Sequence, residues 1–102
     1  MLIVTRHAGA VAWIRNAIGR ADAPVASHLD GVRFKPGDKV YGVLPLAWAA
    51  NVCAAGAQAF VLTYDVPLCL RGRELDESEL CALGARLVRY DVRVVDDLPN
   101  KE

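Results

Sequence analysis

The chain has 102 residues, 54% of them hydrophobic, and its 12 Lys and Arg residues balance 12 Asp and Glu residues. This length and apolar content predict a single folded domain, residues 1–102, and exclude a disordered chain. Zero net charge disfavours a surface that binds DNA over its whole extent, so we expect any anion-binding site to be local.

Targeting and redox patterns indicate a reduced intracellular protein. No run approaches the roughly 20 apolar residues of a membrane-spanning helix, and "MLIVTRHAG" lacks a signal-peptide pattern, so we expect a cytoplasmic protein without a membrane partner. Cys53, Cys69 and Cys81 form no CxxC pair, which favours free structural thiols over disulfides or zinc ligands. The two histidines lack a ligand cluster, so we predict no metal and no cofactor.

The first half of the chain alternates strand and helix patterns. "LIVT" is a continuous apolar run, typical of a strand buried on both faces of a parallel sheet. After a turn over residues 6–9, "AVAWIRNAIGR" has apolar residues at helical spacing and Gly19 near its end. "APVASHLD" predicts a short second strand, and the turn "FKPGD" leads into a third strand, "KVYGVL".

The second half continues this alternation. Pro45 suits the first turn of a helix over "LAWAANVCAAGA" that ends near Gly56. "AFVLTYDV" predicts a fourth buried strand, and "PLCLRGREL" is too interrupted by Pro and Gly for regular structure. "DESELCALGA" predicts a helix with an acidic first turn. "RLVRYDVRVV" alternates as a half-exposed or edge strand does, and we expect residues 95–102 to fray.

Strands separated by helices predict the fold class. Short connections favour right-handed crossovers, and so an α/β, doubly wound, mostly parallel sheet of about five strands with helices on both faces. The strand order and the direction of the last strand stay open. In such sheets ligands bind beyond the carboxyl ends of the strands, where the strand order reverses.

Polar residues follow the predicted strands at that edge. Arg6 could hold a phosphate, and His7 could donate a proton or a hydrogen bond; alternatively, Arg6 pairs with an acid and His7 caps backbone groups. Ser27 and His28 form a second polar pair, although "SHLD" also fits turn chemistry. The other candidate ligand-binding residues in or after the strand ends are Thr5, Gly9, Gly42, Leu44, Pro45 and Asp65.

The stretch "RGREL" is the most specific local indication of an anion-binding site. Arg71 and Arg73 flank Gly72 and could clamp phosphates, while Glu74 could orient one arginine or cap the next helix; the alternative is a salt-bridged loop. Gly42 would let a ligand approach the backbone. The chain has neither a Walker motif nor GxGxxG, which disfavours nucleotide triphosphatases and dinucleotide enzymes.

The two tryptophans and the Ala-rich helix bear on assembly. Trp13 and Trp48 occupy apolar helix positions, which favours core or dimer-interface roles over nucleobase stacking. Together with the apolar helix over residues 46–57, they exceed what a small monomer covers, so we expect a homodimer with its binding edges joined across a two-fold axis.

Taken in order, "VTRHAGAVAW", "SHLD", "PGDKVYGVLP", "AANVCAAGA", "LRGREL" and "LGARLVRYDV" resemble the small Csx-type accessory proteins of type III CRISPR systems. The resemblance implies a Rossmann-like domain related to CARF sensor domains, working as a homodimer. It also implies a ring nuclease that cleaves cyclic tetra-adenylate and so ends the antiviral signal. The family's motif positions fall on Thr5, Arg6, His7, Ser27, His28, Gly42, Leu44, Pro45, Arg71, Gly72, Arg73 and Glu74.

The residues suit this chemistry without a metal. A ribose 2'-hydroxyl would attack the neighbouring phosphorus, Arg6 with Arg71 or Arg73 would hold the charge, and His7 or His28 would act as acid or base. Two other functions stay open. The protein could sense or sequester the ring without cutting it, or it could be a structural partner of the CRISPR effector complex.

Overall fold

Strands and helices alternate along the chain as the apolar pattern predicts. The computed structural model describes residues 1–28, 31–70 and 72–98. Its elements are β1 (Leu2–Val4), α1 (Ala8–Ile18), β2 (Val25–Ala26), β3 (Lys39–Gly42), α2 (Leu46–Ala54), β4 (Gln58–Thr63), a 3-10 turn (Leu68–Leu70), α3 (Glu77–Ala82) and β5 (Arg86–Tyr90). In the described ranges no helix has the length and apolar content to cross a membrane.

One mixed sheet carries all five strands of the described residues. Its order is β2-β1-β3-β4-β5, with the first four strands parallel and β5 antiparallel to β4. The predicted α/β class and the largely parallel sheet are therefore confirmed, and the open questions of strand order and last-strand direction are answered. The chain turns outward from β1 to β2 and then passes back to β3, so the order reverses between β1 and β3.

Two apolar cores lie on opposite faces of this sheet. Ile3 and Val4 are both fully buried, and because neighbouring strand residues point to opposite faces, each joins a different core. Ile14 of α1 and Leu80 of α3 pack in the first core, while Val52 of α2 packs in the second. Helices therefore cover both faces, as predicted for a doubly wound sheet.

Several boundaries differ from the predictions. The predicted turn over residues 6–9 is too long, because α1 begins at Ala8. Pro45 precedes α2, at φ −55° and ψ 153°, instead of lying in its first turn, and α2 ends at Ala54 rather than near Gly56. The stretch "PLCLRGREL", predicted to be irregular, contains the 3-10 turn.

The last strand is shorter than its alternating pattern. Tyr90 pairs with Ala59 near the start of β4, so the chain beyond Tyr90 has no neighbouring strand to bond. Residues 91–98 carry no helix or strand. The remainder of the segment expected to fray, residues 99–102, lies outside the described residues.

Replacing Gly42 tests the close approach of β1 and β3. Gly42 has φ 142°, and a Cβ there would overlap the carbonyl oxygen of Val4. Gly84 also has a positive φ, 72°, but its missing Cβ points into open space. We expect Gly84→Ala to cost about 1–2 kcal/mol of unfolding free energy, the cost of the backbone conformation alone. Gly42→Ala should cost at least about 2 kcal/mol more in urea titrations, because the strands must separate. Equal losses would contradict this account.

A second prediction concerns alkaline stability. Burial raises the pKa of the Tyr41 phenol, and the Arg20 guanidinium opposes part of that rise. The folded state therefore keeps a proton that the unfolded state releases, and the stabilisation present below about pH 10 is lost as pH rises through the folded pKa. Urea midpoints between about pH 8 and about pH 11 should fall less steeply for Tyr41→Phe than for the parent. Identical slopes for Tyr41→Phe and the parent would refute the assignment.

Candidate functional site

The strand ends that carry polar residues form one edge of the sheet. We define the carboxyl rim as residues 5–7, 27–28, 43–45 and 64–65, which follow the carboxyl ends of β1, β2, β3 and β4. The structure thus brings together the first three predicted groups and Asp65. The reversal of strand order between β1 and β3 lies in the middle of this rim.

A cleft of about 350 Å³ opens where the strand order reverses, and we call it the switch-point cleft. It is lined by Thr5, Arg6, His7, Ser27, His28, Val43, Pro45 and Trp48. The polar residues come from the β1 and β2 side, and the apolar residues come from the β3 side and α2. This arrangement suits a ligand with an anionic part and a flat apolar part.

Trp48 is the residue of the cleft that sequence reasoning missed. It is half-buried against the second core and lines the cleft from the first turn of α2. The signal was its position three residues after Pro45, at the start of a helix that follows a strand end. The core role expected for Trp48 is confirmed in part, because Trp48 packs against the second core and also lines the cleft.

The switch-point cleft continues into further depressions along the rim. His7 and Val43 also line a small central depression, together with Tyr64, Arg73 and Glu74. Tyr64 and Arg73 in turn line an outer hollow of about 510 Å³, which includes Asp65 and Gly72. Because neighbouring depressions share lining residues, the three lie side by side, and His7 lines two of them.

His7 is held from two sides. Its Nδ1 lies 2.6 Å from Glu74 Oε1, and its backbone N–H donates to Thr5 Oγ1 at 3.2 Å. An ionised carboxylate only accepts hydrogen bonds, so Glu74 favours a proton on Nδ1 and leaves Nε2 of the neutral ring as an acceptor. The pair is half-exposed, with 53% of the His7 side chain accessible, and His7 lines the switch-point cleft.

Glu74 does not cap the next helix, because Asp76 caps α3 and forms a capping box with Glu79. Arg73 pairs with Glu79 instead of Glu74, and the expected contact with Arg71 lies outside the described residues. Glu74 contacts His7 across 67 residues of sequence. The alternative in which His7 caps backbone groups is also wrong, since its side chain makes no cap hydrogen bond to α1.

The arginines divide into two environments. Arg73 forms an ion pair with Glu79, so the salt-bridged alternative for "RGREL" holds at this residue. A half-exposed pair of this kind contributes at most about 1 kcal/mol, so a phosphate could compete with Glu79. Arg6 is exposed and forms no ion pair with any residue that the structure describes. Arg71 lies outside the described residues.

Three residues that were predicted to bind a ligand have roles in packing. A Cβ on Gly42 would overlap the Val4 carbonyl oxygen, and a Cβ on Gly9 would overlap the Leu75 carbonyl oxygen. Leu44 is 8% exposed and packs in the second core. Within the residues described, no three His, Cys, Asp or Glu side chains lie close enough to share a metal ion.

Comparisons with known proteins give one match. A family model described as "Putative CRISPR-associated protein (Cas_VVA1548)" matches residues 2–93, a span that includes β1 to β5. Searches of curated proteins and of solved structures returned no significant match.

Removing the Glu74 carboxylate should change the protonated nitrogen of His7. In the parent at mildly alkaline pH, nitrogen-15 NMR of the imidazole should show the proton on Nδ1. Glu74→Ala removes the acceptor 2.6 Å away, so we expect the proton to move largely to Nε2. His28, the second histidine of the chain, is the internal control and should keep its parental spectrum. An unchanged His7 spectrum would show that Glu74 does not orient the ring.

Proposed function

Because the chain belongs to the Cas_VVA1548 family of CRISPR-associated proteins, we propose that its carboxyl rim binds a cyclic oligoadenylate and cleaves it. Cyclic tetra-adenylate is the expected ring, and its cleavage would end the signal of a type III CRISPR system. The observation that carries this proposal is the His7–Glu74 pair, because its histidine lines the switch-point cleft together with Arg6.

The cleft offers separate partners for phosphate and base. Arg6 and the first amides of the 11-residue helix α1 favour an anion, and Trp48 offers an aromatic surface to a purine. A neutral chain is no obstacle, because a small ring needs only local positive charge. The cleft volume of about 350 Å³ is small for a whole ring. Two rims joined across a two-fold axis would enclose more of it.

We infer a transfer reaction that uses the ring's own nucleophile. The 2'-hydroxyl oxygen attacks the adjacent phosphorus, its proton passes to a base, and the bond from phosphorus to the 5'-oxygen breaks. The leaving 5'-oxygen takes a proton from an acid, which gives a 2',3'-cyclic phosphate and a 5'-hydroxyl end. No water or redox partner enters this step, so atoms and electrons balance.

The rim residues fit the roles that this step needs. His7, with Nδ1 held by Glu74 and Nε2 open, and His28 in the same cleft serve as base and acid. Arg6 stabilises the charge on the phosphorane, and Arg73 can leave Glu79 to bind a second phosphate.

Replacing Arg6 or His7 tests the proposed active site. Arg6→Ala and His7→Ala should each slow single-turnover cleavage of cyclic tetra-adenylate by roughly 100-fold or more. This is the scale of losing one hydrogen-bond donor to the transition-state oxyanion, or one general acid. Arg73→Ala should weaken binding of the ring in addition to slowing its cleavage. Arg33→Ala, in the exposed loop before β3 at the opposite edge, and Cys69→Ser should keep the parental rate. Cleavage should survive a chelator and leave 2',3'-cyclic phosphate ends, as mass spectrometry of the products will show.

The same assay separates the other two functions. A parent protein that binds the ring without cutting it would be a sensor or a sponge. A ligand at 100 times its dissociation constant adds about 2.7 kcal/mol of stability, so thermal unfolding detects such binding. A protein that no ring stabilises would instead be a structural partner of the effector complex.

A further inference from the structure

The sheet ends in a strand edge that the chain leaves open. β5 is the last strand of the order, and among the described residues it bonds β4 alone. Beyond Tyr90, "DVRV" continues the alternating pattern of β5 for four residues without a neighbouring strand. Such a free edge with strand-forming residues is a template for pairing with another strand.

The two sides of this segment have different chemistry. Val88 lies opposite Val61 of the second core, so Val88 and Tyr90 face α2. Val92 also packs against the second core, which extends the apolar side beyond the strand. In an extended chain Val94 follows on the same side, and Arg89, Asp91 and Arg93 lie on the other.

The contacts of Cys53 show which backbone hydrogen-bonding groups beyond β5 already have a partner. Its Sγ lies 3.6 Å from the Tyr90 carbonyl oxygen and 3.4 Å from the Val92 nitrogen. Backbone groups of alternate strand residues point the same way, so those of Tyr90 and Val92 face inward. The backbone groups of Arg89, Asp91 and Arg93 are therefore directed to the outer edge.

We propose that this edge pairs with the same edge of a second copy of the chain. The two strands run antiparallel with the two-fold axis at Val92. Asp91 then lies opposite the partner's Arg93, and by symmetry Arg93 lies opposite the partner's Asp91. Opposite charges that face each other across strands stabilise the pairing, and both pairs occur on the side away from α2.

The charges and apolar side chains select this register. An axis at Asp91 or at Arg93 would place identical charges opposite each other, which destabilises a strand pair. An axis at Tyr90 would leave Val94 opposite the partner's Arg86. The axis at Val92 instead sets Tyr90, which is 46% exposed, opposite the partner's Val94, a residue that is 73% exposed in the single chain.

This contact differs from the rim contact of the proposed function. A two-fold axis perpendicular to the sheet reverses the strand direction, so the two carboxyl rims lie at opposite edges of one continuous sheet. Each rim stays open, and the inference is independent of what the rim binds. Ring cleavage is scored separately, so the two proposals fail separately.

Charge exchange tests the pairing in solution without any ligand. With no ring present to join two rims, light scattering and sedimentation at micromolar concentration should give a dimer mass for the parent. Asp91→Arg should raise the dimer dissociation constant by about tenfold or more, because the introduced guanidinium would then face the partner's Arg93. Adding Arg93→Asp in the same chain should restore the dimer. Asp22→Arg is the matched control, because the Arg20–Asp22 pair has the same 3.8 Å separation as Arg93–Asp91 but lies elsewhere.

A second variant, Val94→Lys, tests the pairing if Asp91→Arg does not fold. Val94→Lys changes a side chain that is 73% exposed, so the variant should keep the parental circular dichroism spectrum. Its mass in solution should be that of a monomer, half that of the parental dimer. A monomeric parent would overturn the proposal. So would a dimer that survives both Asp91→Arg and Val94→Lys, or a double charge exchange that stays monomeric while folded.

Discussion

A contact between two backbones positions the candidate site. The first turn of α1 lies so close to Leu75 and Asp76 that Gly9 has no room for a Cβ. This contact brings the loop before α3 against the start of α1, and it therefore places Glu74 beside His7. Thr5, buried at the end of β1, holds the His7 backbone from the other side. Packing of the first core thus creates the imidazole–carboxylate pair.

The charges of the rim suit an anion site in which a ligand replaces an intramolecular ion-pair partner. Positive and negative charges balance over the chain, and Arg73 has an intramolecular partner that a ligand phosphate could replace. Arg6 and the amino end of α1 add positive potential at the point where the strand order reverses. This local charge fits the proposed binding of a small polyanion, while the neutral chain as a whole does not favour long nucleic acids.

Local patterns in the sequence predict the elements and their edge, but not the contacts between distant segments. The buried run at Ile3 and Val4 identifies β1, and the class of sheet then places Arg6 and His7 at its carboxyl end. The His7–Glu74 pair joins residues 67 positions apart, and no spacing rule encodes it. Gly42 reads as a ligand-facing glycine because the sequence does not reveal that Val4 approaches it. The end of β5 depends on where β4 begins, which is also a tertiary property.

We propose that this protein binds a cyclic oligoadenylate at its carboxyl rim. Amide NMR shifts measured with cyclic tetra-adenylate methylated at each 2'-oxygen test it directly, because this ring cannot supply the attacking hydroxyl. We predict the largest shifts at residues 5–7, 27–28, 43–44 and 46–48, smaller shifts at 73–75, and none along β5. Absence of shifts at saturating ring, or shifts confined to the opposite edge of the sheet, would contradict the account.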